Sequence, residues 1–157
     1  MANNSPLRAV TRLEIREASS SDLEKIYEIE KLCFGSYAYD RQLLQMYLYL
    51  SPDTFLVVED TGIIVGYIIG LLKKWGEAHI ISLAVHPSYR RRGAATVLMK
   101  TLLEKFRIKG AKSVRLEVRI SNIPAIKLYE KLGFKVAGYI KNYYPDGEDA
   151  YLMVIQL

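Results

Sequence analysis

The stretch AVHPSYRRRGAATVLMKTLL, from Ala84 to Leu103, decides how the rest of the chain is read. Three consecutive arginines, Arg90, Arg91 and Arg92, stand directly before Gly93 and two alanines, Ala94 and Ala95, that open a helical pattern. A helix start leaves backbone N–H groups unpaired at the positive end of the helix dipole, which favours phosphate. Gly93 and the small alanines let a ligand come close to the backbone, and arginine forks match phosphate oxygens. The spacing is neither the Walker loop nor the dinucleotide fingerprint. On its own the motif therefore leaves open an anion site and a plain helix start with a solvated basic face.

Outward from this stretch the periodicities are regular. Ala95, Leu98, Leu102 and Phe106 recur at spacings of three and four, and Lys109-Gly110 closes their helix. Upstream, Thr54–Glu59 and Ile63–Lys73 are rich in branched and aromatic residues and flank Asp60-Thr61-Gly62, a tight hairpin turn, with Glu77–His86 as the next strand. Further back, Leu13–Ala18 alternates as a strand. Ser19 to Asp22 supply helix caps, and Leu23, Ile26, Ile29, Glu30 and Phe34 form an imperfect helical stripe over Asp22–Cys33. A loop, Gly35–Ala38, separates this helix from a tyrosine-rich one over Tyr39–Tyr49 that stops before Ser51-Pro52.

Downstream, Val114, Leu116 and Val118 alternate with Arg115, Glu117 and Arg119, as in a half-buried strand. Asn122 caps a helix that buries Ala125, Leu128, Tyr129 and Leu132 and ends at Gly133, and strands Phe134–Lys141 and Asp149–Gln156 flank the Pro145-Asp146-Gly147 turn. The order is β-α-α-β-β-β-α-β-α-β-β, an α/β (α+β) arrangement with a mixed sheet flanked by helices in a single domain over residues 12–157.

Composition narrows the function. Half of the 157 residues are hydrophobic and the formal charge is +5, so a folded protein with an anionic partner is expected. Cys33 is the only cysteine, and His79 and His86 lie seven apart, which excludes a zinc cluster and a disulfide framework and points to a reducing cytosol. There is no zinc-finger spacing, ribonucleoprotein aromatic motif or basic zipper, so no specific nucleic acid is expected as partner. No apolar run is long enough to cross a bilayer, so no membrane is expected either; Met1 to Thr11 lacks the core of a secretory signal and reads as a flexible N-terminus.

Two motifs stand in order along the chain: Arg90-x-x-Gly93-x-Ala95 after the strand Glu77–Val85, then Asn122-x-x-Ala125-x-x-Leu128-Tyr129-x-x-x-Gly133-Phe134. Together they resemble the GNAT superfamily of acetyl-coenzyme A-dependent N-acetyltransferases, whose pyrophosphate loop follows Q/R-x-x-G-x-G/A. The resemblance runs from Leu13 to Leu157. It implies the GNAT fold, with a mixed, mostly antiparallel central sheet of about seven strands flanked by four helices. The segments LEVRISNIPAIKLYEKLGF (Leu116–Phe134) and NYYPDGEDAYLM (Asn142–Met153) look like the protein N-terminal acetyltransferases, RimI-like and archaeal. What that implies is direct transfer of acetyl from acetyl-CoA to the α-amine of a protein or peptide, with a ribosome or ribosomal protein as partner. Lysine side chains and small amines are the alternative acceptors.

The resemblance also implies roles. An α-amine is roughly a tenth neutral at pH 7 and lysine under about a thousandth, so an α-amine needs only modest base assistance. Glu117 is the first candidate base and His79 the second; the alternative for Glu117 is pairing with Arg115 or Arg119 on a solvated strand face. Tyr129 is the candidate general acid for the leaving thiolate, or else a core aromatic. Asn122 would hold the pantetheine arm as well as cap its helix, and Leu83 and Val85 would offer backbone groups to the same arm, with Ala84 between them also at the cofactor. The N–H groups from Arg91 through Ala95 would hold the pyrophosphate, assisted by the side chains among Arg90, Arg91 and Arg92, at least one of which is expected to be only solvated. The loop Phe34 to Tyr39, with Phe34 and Tyr37, and Tyr139, Tyr143 and Tyr144 on the last hairpin would grip the peptide, the alternative for the hairpin being a tyrosine-rich core strand. Cys33 is expected to be a buried helix residue.

Overall fold

In the computed structural model, residues 12–157 are described; the expectation for Met1 to Thr11 lies outside them. Strand β1 (Leu13–Glu17) leads through a short turn into α1 (Leu23–Phe34) and then α2 (Arg41–Leu50), whose N-cap Asp40 accepts a hydrogen bond from the Leu43 amide. Strands β2 (Phe55–Asp60) and β3 (Ile63–Leu72) follow, joined by the two-residue loop Thr61-Gly62. Both loop residues have positive φ, 51° and 83°, as a hairpin of this length requires. Strand β4 (Glu77–Val85), α3 (Ala94–Ile108), β5 (Ser113–Arg119), α4 (Ile123–Lys131), β6 (Lys135–Ile140) and β7 (Ala150–Gln156) complete the order read from the sequence.

The seven strands form one sheet in the order β1-β2-β3-β4-β5-β7-β6. Every neighbouring pair is antiparallel except β4 with β5, which is parallel. That parallel pairing lasts only for Glu77–His79 against Ser113–Arg115. Beyond it β4 carries a bulge at Ile81, since Ile69 pairs with Ser82 and Gly70 with Ile80, and the two strands part. The sheet is thus open in its middle, between the second halves of β4 and β5.

Apolar packing closes both faces. On one, Leu98, Met99, Leu102 and Phe106 of α3 and Ile126 of α4 bury against Leu56, Ile68, Ile80, Val114, Leu116 and Met153. On the other, Ile26, Ile29 and Leu44 of α1 and α2 bury against Phe55, Val57, Tyr67 and Ile69. The stripe expected on α4 needs correction. Ile126 and Tyr129 are its buried residues, while Ala125, Leu128 and Leu132 are half-buried, because Ala125 and Leu128 border a cavity rather than solid core. No described helix is long and apolar enough to cross a membrane.

Candidate active site

The parting of β4 from β5 opens a cavity of about 730 Å³ lined by Leu83, Ala84 and Val85 on one side and by Asn122, Ala125, Leu128 and Tyr129 on the other. Its floor is the loop entering α3. Gly93 sits at φ 85° and Arg91 at φ 63°, so the chain makes two left-handed steps before Ala94 begins the helix. A Cβ on Gly93 would meet nothing within 4 Å, so the glycine serves the backbone angle and the open space in front of it, not packing. Arg90, Arg91, Gly93, Ala94 and Ala95 all border this cavity.

The three arginines do different things. The Arg90 guanidinium donates from Nε to the Val85 carbonyl (3.2 Å) and lies 3.5 Å from the Cys33 sulfur, so the Val85 carbonyl is already engaged. Arg91 faces the cavity. Arg92 does not: it reaches the buried carboxylate of Asp60 at 3.4 Å and lies over the Tyr89 ring at 5.2 Å, tying the loop to β2. Its assignment to phosphate is corrected, because burial of Asp60 leaves that carboxylate in need of a cation. Cys33 is half-buried rather than buried and borders the same cavity, with its thiol pushed up by burial.

A second cavity of about 520 Å³ adjoins the first, sharing Phe34, Leu83, Asn122 and Tyr129. Glu117, Tyr37, Tyr39, Tyr143 and Tyr144 line it, together with Glu30 and Arg119, to which the sequence reading gave no site role. The two candidate bases prove to be one pair: His79 Nε2 lies 2.6 Å from Glu117 Oε2, both side chains being little exposed. Burial opposes ionisation of Glu117, but the hydrogen bond and charge of His79 outweigh it and hold the carboxyl below its ordinary value. Glu117 is thus the acceptor and His79 Nε2–H the donor. Arg115 pairs instead with Glu77, and Arg119 with Asp146 and Glu148, so the solvated-face alternative for Glu117 does not describe this strand.

Tyr129, 9% exposed, stands where the cavities meet, its ring tilted against Phe134 at 6.0 Å. Burial pushes its hydroxyl up to about 12, so it keeps its proton at every ordinary pH. Asn122 caps α4 by accepting from the Ala125 amide at 3.3 Å. The walls of the second cavity are fixed by Arg119, whose Nη1 donates to Asp146 Oδ2 (2.8 Å) and Glu148 Oε1 (2.9 Å) while the guanidinium lies 4.1 Å over Tyr144 and 5.8 Å from Tyr37. One cation thereby joins β5, the β6–β7 loop and the α1–α2 loop. Tyr139 is not brought into the cavity; it is exposed, bonded to Asp149 and packed on Tyr151, because its place in β6 turns it away from the loop that carries Tyr143 and Tyr144.

The His79–Glu117 pair has a signature in stability. A carboxyl whose folded pKa lies below its unfolded value contributes above that unfolded value and loses the contribution as pH falls through the folded one. Glu117→Gln keeps the shape and removes the charge. It is expected to lower the melting temperature at pH 7, with the difference from the unsubstituted protein shrinking as pH drops below the ordinary value of 4.5. A constant difference from pH 7 to pH 3 in thermal scans would show that the pair contributes no charge.

A parted parallel pair in a mixed sheet, a left-handed loop into a helix start and a protonated tyrosine thus stand together around the two cavities. The sequence profile described as Acetyltransferase (GNAT) family matches residues 23–134, and the chain belongs to that family. It is 37% identical over 156 residues to an N-alpha-acetyltransferase of Sulfurisphaera tokodaii, across 91% of this chain and 92% of that one. Among solved structures, Ard1 from Thermoplasma volcanium matches at a TM-score of 0.88 and 35% identity, covering 92% of this chain and 97% of that chain. The ribosomal-protein-S18-alanine N-acetyltransferase from Escherichia coli matches at 0.82 and 29%, covering 92% and 94%. The first cavity fits the acetyl-CoA that this family uses: open space at Gly93, a helix start and two arginines for phosphates, and the unpaired side of β4 for an amide-bearing arm.

Proposed function

We propose that the protein acetylates the α-amine of protein or peptide N-termini. The observation that carries this reading is the meeting of the two cavities at Tyr129, with Glu117 on the wall of the second and tyrosines around its mouth. When bound, acetyl-CoA supplies an activated acetyl group as a thioester. Glu117, which borders the peptide cavity as His79 does not, accepts the proton lost by the attacking amine, directly or through water. His79 fixes the carboxylate's orientation through Nε2 and is a positioning residue in this reading. Tyr129 Oη donates toward the departing sulfur. Asn122 and the backbone of Leu83 and the Val85 N–H, flanking Ala84 on the unpaired side of β4, orient the pantetheine arm, and the N–H groups from Arg91 to Ala95, with Arg90 and Arg91, hold the phosphates. Phe34, Tyr37, Tyr143 and Tyr144 offer apolar walls with hydroxyl edges to an extended N-terminus. The names of the relatives support an N-terminal acceptor. Ribosomal-protein N-termini are the first acceptors to try, and a single free thiol suits a reducing cytoplasm.

The test uses one peptide with a free α-amine and an internal lysine. Mass spectrometry should place the acetyl group on the α-amine, and Tyr143→Ala combined with Tyr144→Ala should impair use of the peptide at least about tenfold with acetyl-CoA binding retained. Acetyl found mainly on the lysine would replace this reading with a lysine or small-amine acetyltransferase.

A further inference from the structure

Glu30 is the anomaly of α1. It is 2% exposed, one residue after the buried Ile29 and one turn after Ile26, against the apolar cluster of Phe55, Tyr67 and Ile69. Among the described residues no lysine, arginine or histidine pairs with it. Burying a carboxyl without a cation costs several kcal/mol, roughly, and stability alone would place an apolar residue here. The carboxyl is instead spent on two contacts. Oε2 is bonded to the Tyr67 hydroxyl on β3, and Oε1 accepts from the backbone N–H of Tyr39 at 3.4 Å. Tyr39 closes the segment that begins at Phe34 and turns through Gly35–Tyr37, and Phe34, Tyr37, Tyr39 and Glu30 all border the peptide-side cavity.

We propose that Glu30 is a positioning residue for the acceptor: its carboxyl, anchored on Tyr67, holds the main chain at Tyr39 and so fixes the α1–α2 wall against which the substrate N-terminus lies. The proposal rests on the N-terminal acetylation reading for its kinetic side only. The segment it holds has no strand neighbour, Phe34 and Tyr37 are exposed, and the amide of Ala38 bonds only back to Gly35, so beside the Arg119 guanidinium near Tyr37 the Tyr39 amide is the main-chain hydrogen bond that ties this wall to the core. Burial raises the Glu30 carboxyl above its ordinary value, with the Tyr67 and Tyr39 hydrogen bonds opposing that rise. A hold made by hydrogen bonds tolerates either protonation state, which is why the amide of glutamine should replace it and an apolar side chain of similar length should not.

Two variants and two measurements decide it. Glu30→Met should speed hydrogen exchange at the Tyr39 amide at least about tenfold relative to the interior amides of α1, whereas Glu30→Gln should stay within about threefold of the unsubstituted protein. With the acceptor that the unsubstituted protein acetylates, Glu30→Met should raise the acceptor KM about tenfold or more and leave acetyl-CoA affinity, read by calorimetry, within about twofold; Glu30→Gln should restore the acceptor KM. Retained acetyl-CoA affinity also shows that the variants are folded. Unchanged Tyr39 exchange in Glu30→Met, or a Glu30→Gln variant as impaired as Glu30→Met, overturns the proposal. The exchange measurement needs no substrate, so it judges Glu30 even if the acceptor proves to be a lysine.

Discussion

Tyr129→Phe is expected to lower kcat by about 100- to 10,000-fold, the range found for general acids, while the KM values for acetyl-CoA and acceptor change little. The reason lies in where the hydroxyl is and what burial does to it. Tyr129 stands at the junction of the two cavities and holds its proton because its surroundings disfavour the phenolate. Removing the oxygen leaves the ring, its packing on Phe134 and the cap of α4 in place. In the proposed mechanism what disappears is a donor needed only as negative charge builds on sulfur, an interaction of the transition state rather than of the bound substrates. A kcat reduced less than about threefold, with chemistry shown to limit turnover, would return Tyr129 to the core.

Gly93→Glu is expected to weaken acetyl-CoA binding at least about 100-fold with the fold retained. Two effects combine. A non-glycine residue at φ 85° is strained by about 1–2 kcal/mol. A carboxylate also enters the space in front of the α3 start, where N–H groups and Arg91 would otherwise meet phosphate. Gly93→Ala separates the two, since its Cβ meets nothing within 4 Å. It should lose no more than about thirtyfold, the strain alone. Calorimetry with coenzyme A would read both, and equal affinity for Gly93→Glu and the unsubstituted protein would remove the loop from the phosphate site.

Much of the fold was legible because its signals are local. Alternation in Val114, Leu116 and Val118 and helical spacing in Leu98, Leu102 and Phe106 each sit within one element, and Thr61-Gly62 carries its turn geometry in two residues. The site was legible in its residue types and less so in its partnerships. His79 and Glu117 read as rivals because they lie 38 positions apart, and only the parallel register that sets His79 beside Arg115 brings them into contact. The arginine run looked uniform, yet the buried carboxylate that claims Arg92 belongs to β2, 32 positions away. Arg119 read as one charge in an alternating strand, since nothing local shows that Asp146, Glu148, Tyr144 and Tyr37 converge on it. Glu30 was visible as a flaw in an apolar stripe; its meaning required Tyr67 and Tyr39.

The short pairing of β4 with β5 has a mechanical consequence. Three residue pairs are all that bridge the block of β1 to β4 and the block of β5, β7 and β6 within the sheet. A ligand that bonds to β4 on one bank and to α4 on the other acts as a rivet across that seam. Free energy of binding then adds to the cohesion of the molecule, by about 2.7 kcal/mol when the ligand stands at a hundred times its Kd. Heat resistance should therefore follow the supply of acetyl donor, so that the same seam that admits the donor makes the enzyme's lifetime a gauge of it.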